Sequence, residues 1–101
     1  MALDFYQQNN KEPFFALEDK QFQDLAGIFN EFQCRTGLVI DQFSDAKLTI
    51  ENQATIIKII DDYIKKADLN KNKLKTVTII EFRTHLKYSH KKKNDLLLKG
   101  D

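Results

Sequence analysis

Between residues 49 and 67, Ile50, Ala54, Ile57, Ile60 and Ile64 recur at intervals of three and four, and Ile56, Ile59 and Tyr63 stand beside them. That spacing stacks the first five on one face of a helix, and the other three widen the face past half the circumference. A helix apolar over so much of its surface needs cover on two sides. The segment is therefore expected at the centre of a domain, with other elements packed around it.

Two further helices supply that cover. Over residues 19–35, Phe22, Leu25, Ala26, Phe29 and Phe32 share one face, with Asp24, Asn30 and Glu31 on the other. Gly37 follows the last periodic residue and suits the left-handed conformation that closes a helix, so Thr36 and Gly37 mark the stop. In the second half, Thr78 and Glu81 fit a capping box, and Val77 with Phe82 fits a hydrophobic staple; Ile79, Phe82 and Leu86 then face inward. The Thr and Ile content of residues 76–80 also suits a strand, and both readings stand at this point. Lys91, Lys92 and Lys93 fall just past the end of this third helix, where positive charge is favourable. Short strands are expected at residues 38–40 and 96–98, and a loop near Pro13 over residues 7–12. The expected fold class is α+β and predominantly helical, one domain over residues 1–101.

Length and composition agree with a self-sufficient domain. A chain of 101 residues with 42% apolar residues and eight Phe can build a core without metal or disulfide. Cys34 is the sole cysteine, which excludes an intramolecular disulfide and reads as a structural thiol. With no basic-then-apolar leader pattern, and no apolar run near the roughly 20 residues that span a bilayer, the expected location is the cytosol.

Chemistry-bearing patterns are incomplete. Asp68, Asn70 and Asn72 open like a calcium loop, but Lys73 replaces the turn glycine and Ile79 the closing Glu. His85 and His90, five apart, do not stack as helical metal ligands at a four-residue spacing do. Phosphate loops, nucleophile elbows and CxxC pairs are lacking, so neither an enzyme nor a cofactor or metal is expected. Asp61 at the margin of an apolar stripe needs a partner, and Lys58 and Lys65 are the nearest along the helix.

Charge is divided along the chain. Residues 1–62 carry 5 Lys/Arg against 11 Asp/Glu, and residues 63–101 carry 11 against 4. Mutual attraction of the halves, an acidic face for a basic partner, or a basic face for phosphates would each use this split. Only Arg83 in the second half offers bidentate recognition, so phosphate binding there would be weak and sequence-blind, and nucleic acid is not the expected partner.

Phe29 and Phe32, Thr36-Gly37, Ile40-Asp41, Phe43, Asp45 and Leu48, followed by Leu96 to Leu98 and Gly100-Asp101, resemble small immunity proteins. These accompany bacterial polymorphic toxins, including contact-dependent growth inhibition systems. The resemblance implies a cytosolic, non-enzymatic antitoxin that binds one cognate toxin domain, often a nuclease, as a monomer in the complex. A basic nuclease cleft would be met by carboxylates, and Glu31, Asp41 and Asp45 are the expected partner-binding residues; Asp41 and Asp45 suit caps of turns or of the second helix equally well, and both readings stand at this point. A weak nucleic-acid-binding module and an intracellular adaptor or assembly subunit are the rival readings.

Overall fold

The computed structural model describes residues 2–7, 10–66 and 71–100. Among these, four strands and four helices follow the order β1 (Ala2–Gln7), β2 (Phe15–Glu18), α1 (Asp19–Asp24), α2 (Ala26–Thr36), β3 (Ala46–Leu48), α3 (Ile50–Lys66), α4 (Lys73–Lys91) and β4 (Leu96–Lys99). The strands form one antiparallel sheet in the order β2-β1-β4-β3. The fold is α+β and mainly helical, as the periodicity indicates.

The sheet has one inward face because strand side chains alternate. Leu3 and Phe5 of β1, Leu17 of β2, Leu48 of β3, and Leu96 and Leu98 of β4 are all buried against the helices. Their register partners repeat the pattern, with Leu3 opposite Leu17, Phe5 opposite Leu98 and Leu48 opposite Leu96. Phe82 of α4 is the meeting point, its ring centroid 5.7 Å from Phe5, 5.8 Å from Phe15 and 5.6 Å from Phe29. Phe5, Phe29 and Phe82, which are buried, each contribute on the order of 1.5–3 kcal/mol from removal of their surface from water, and the half-buried Phe15 contributes less.

α3 lies between α2 and α4, the central place its wide apolar surface requires. Thr49 starts it, its Oγ1 accepting the Asn52 N–H at 3.1 Å. The inward stripe is rotated from the expected one: Gln53, Ile56, Ile59 and Ile60 are buried, whereas Ala54 is exposed and Ile50, Ile57 and Ile64 are half-buried. A buried glutamine sits on that stripe because its Nε2 donates to Leu48 O at 3.1 Å and Asn94 O at 2.8 Å, fastening the helix to the end of β3 and the turn before β4.

Four other expectations are corrected. The helix over residues 19–35 is interrupted at Leu25, whose N–H is shared between Gln21 O and Phe22 O at 3.2 and 3.1 Å. One irregular residue keeps Phe22 and Phe29 in contact at 5.2 Å while turning Asp24 inward, where it meets Lys20 at 3.1 Å and Thr78 at 3.4 Å. α4 begins five residues before Thr78, capped by Asn72, whose Oδ1 accepts the Lys75 N–H at 3.1 Å. Thr78 is thus inside the helix, donating to Leu74 O at 3.2 Å, and Val77 is exposed, so neither the capping box, the staple nor the strand over residues 76–80 forms. Residues 38–40 are not a strand; β4 pairs instead with β3. Cys34 is exposed on α2 and does not pack as a structural thiol.

The strand at the C-terminal side and the Gly37 stop are found where expected. Gly37 has φ 80° and donates to Gln33 O at 2.8 Å. α4 closes through Lys93, a non-glycine residue at φ 57°, with Asn94 N–H donating to Ser89 O at 3.1 Å.

Candidate partner-binding surface

The residues between Gly37 and Asp45 make a loop that spends its polar groups on bracing itself. Thr36 Oγ1 donates to Phe32 O at 2.8 Å and accepts the Leu38 N–H at 3.1 Å, which removes from Leu38 the donor a strand would need. Ile40 is buried and plugs the loop into the core. Asp41 Oδ1 accepts the Phe43 N–H at 3.0 Å, a side-chain turn of the kind aspartate favours. Gln42 Nε2 donates to Asp19 Oδ1 at 2.9 Å and fixes the loop to the start of α1.

Gly100 closes the arrangement from the far end of the chain. Its N–H donates to Asp45 Oδ1 at 3.1 Å, and a Cβ at this position would lie 2.5 Å from Ser44 N and 2.6 Å from Gln42 O. Only glycine permits that approach of two backbones. Residues 41–48 and 96–100 are therefore neighbours in space, joined by the β3–β4 ladder and by this contact.

On this braced loop the apolar side chains that remain point to water. Leu38 is 44% exposed, Val39 56% and Phe43 59%. Asp41, half-buried, and Asp45, exposed, stand among them. Apolar anchors beside charged residues are the composition of a recognition surface: the anchors gain from burial, and the charges set the rate and selectivity of encounter.

Of the three expected partner-binding residues, Asp41 and Asp45 thus share the loop, and Glu31 lies on α2. Glu31 accepts from Arg35 Nε at 2.9 Å, and Arg35 reaches Asp62 of α3 at 3.9 Å. With Tyr63 and Lys66 these residues line a groove of about 460 Å³ between α2 and α3. Among the described residues, no hydrogen bond or ion pair links Glu31 to the loop carboxylates. Leu38, Val39 and Phe43 were not expected as binding residues. For Leu38 and Val39 the signal is a short apolar stretch directly after a helix-closing glycine, and Phe43 follows it after two polar residues.

Elsewhere Asp61 and His85 have structural partners. Asp61 is paired across the helices by Arg83 at 2.6 Å, in place of the expected Lys58 and Lys65, because the Asp faces α4. His85 stacks on Phe15 with centroids 4.5 Å apart, and burial pushes its pKa below the ordinary value against the opposing pull of Glu81. His90 is exposed. Asn72 is the α4 cap, while Asp68, Asn70 and the expected helix end at Ala67 lie outside the described residues. Among the described residues, no three His, Cys, Asp or Glu side chains gather as metal ligands, and no helix is long and apolar enough to cross a membrane.

Comparison with protein-family models, curated proteins and solved structures finds no match to this chain.

Proposed function

We propose that this chain is a non-enzymatic antitoxin of the cytosol that neutralises a cognate toxin domain by binding it through residues 37–45. The observation that carries this reading is the exposure of Leu38, Val39 and Phe43 around Asp41 and Asp45 on a loop braced at both ends. A braced loop loses little conformational freedom on binding, so more of its contact energy is retained as affinity. Its carboxylates suit the basic cleft in which a nuclease holds phosphates. The resemblance to immunity proteins rests in part on this same stretch.

The neighbouring reading frames test the proposal first. A large secreted protein with a variable C-terminal domain encoded upstream should yield a domain that co-elutes with this chain at 1:1 and loses its toxicity in the complex. If that domain passes through the column separately from the folded chain and remains toxic, the antitoxin reading is wrong.

A second reading rests on the lysines of α4, none of which has a carboxylate partner among the described residues. These would bind a phosphate backbone weakly, and binding to single-stranded DNA would then weaken steeply as salt rises. Binding that is absent at low salt removes this reading.

A further inference from the structure

Two exposed apolar patches of opposite charge lie on different elements. The first is the loop with Leu38, Val39 and Phe43; residues 37–45 contain two Asp and no Lys or Arg. The second is the outward side of α4 near its start, where Leu74 is 77% exposed, Val77 50% and Ile80 42%. Residues 71–81 carry Lys71, Lys73 and Lys75 against Glu81 alone, so this face is net basic. Leu74, Val77 and Ile80 are three apart, so they form a slanted stripe beside the inward row of Ile79, Phe82 and Leu86.

We infer that, in the absence of another partner, the protein associates head to tail, the acidic loop of one copy seated on the basic, apolar face of α4 in the next. Charge chooses both the occupant and the geometry. Pairing α4 with α4 about a two-fold axis would bring two net-basic faces together, and pairing loop with loop would bring two acidic ones together. The unlike pairing joins faces of opposite net charge while covering both apolar patches. Both surfaces belong to the same chain, so a second copy supplies the required chemistry in equal amount. Such a contact is heterologous, and copies continue to add unless the rotation closes a ring. Because the loop is also the surface proposed for the toxin, toxin binding would cap and dissolve these assemblies and leave one copy per complex. The self-association itself depends on the two patches, whatever the toxin proves to be.

Sedimentation equilibrium of the full chain between about 10 μM and about 1 mM covers the range of a weak contact. The weight-average mass should rise above 11.8 kDa with concentration and fall back as salt is added. Phe43→Ser and Leu74→Ser each change a mostly exposed side chain, and their folding is checked by thermal melting. Each variant alone should sediment at the monomer mass. An equimolar mixture should form a dimer that grows no further, since each variant retains the surface the other has lost. A wild-type chain that stays monomeric throughout overturns the inference, and so does association of either variant alone, or a mixture that remains monomeric. Leu74→Ser leaves the loop untouched, so loss of assembly in that variant with toxin binding unchanged separates this inference from the antitoxin reading.

Discussion

Phe29 illustrates what a single side chain carries in this core. It is buried, in contact with Phe22 at 5.2 Å and Phe82 at 5.6 Å, and its truncation would open a cavity between α2 and α4. Phe29→Ala should cost roughly 3–5 kcal/mol, close to the whole stability of a small domain, and a urea midpoint shifted by less than the equivalent of about 1 kcal/mol would contradict this packing. His85 makes a different prediction. Burial lowers its folded-state pKa below the unfolded value of 6.5. The folded state therefore binds the proton less readily than the unfolded chain, and stability rises with pH through this window. The contribution is fully present above about pH 6.5 and is lost as pH falls through the folded pKa. The melting temperature should decline on acidification across that range, and His85→Phe should flatten this part of the profile. An unchanged slope in the variant would assign the pH dependence to other groups. Gln53 shows the limit of residue-level reading: a glutamine amid isoleucines is legible as polar, but of the two carbonyls that make its burial possible, that of Leu48 is five residues away and that of Asn94 is distant in sequence.

At the scale of elements, a signal carried by one residue's own backbone is legible, whereas one that needs a distant partner, or that two positions along a helix can satisfy, is not. Gly37 closes α2 because left-handed backbone is a property of the residue itself. Leu96 and Leu98 form a strand whose partners could not be read locally. The hairpin of β1 and β2 was missed although Leu3, Asp4 and Phe5 alternate, since Tyr6 interrupts the pattern and half-buried strands this short are ambiguous. The start of α4 was misplaced because Thr78 and Glu81 imitate a capping box inside a helix already begun at Asn72. Asn72→Ala should therefore cost about 1 kcal/mol, whereas Thr78→Ala should stay within about 0.5 kcal/mol. Thermal melts of the two variants decide the matter, and the reverse ranking would move the cap to Thr78. Within the loop, the acidic residues were legible as charge. The exposed anchors were not, because a strand at residues 38–40 would turn Leu38 inward with Ile40, whereas the loop leaves Leu38 and Val39 both exposed.

Across the whole molecule, one continuous core joins the sheet to the helices, and the Cα radius of gyration of 12.8 Å agrees with the roughly 13 Å of a compact chain of this length. The charge division along the sequence is only slightly spent within the fold. Among the described ion pairs, Asp61 with Arg83 and Lys47 with Asp95 join the two halves. Both pairs are partly open to solvent and contribute modestly to stability, and they engage only a small share of the acidic and basic charge. The loop of residues 37–45 has the apolar anchors and the bracing to use it. The most direct measurement is titration calorimetry of the toxin domain against wild type, Phe43→Ala and Leu74→Ala, with melting temperatures as the control. Phe43→Ala should weaken binding at least about tenfold, some 1.4 kcal/mol, while its melting temperature and the affinity of Leu74→Ala remain those of wild type. Wild-type affinity in the folded Phe43→Ala variant, or the loss appearing at Leu74 instead, would contradict the loop as the toxin-binding surface.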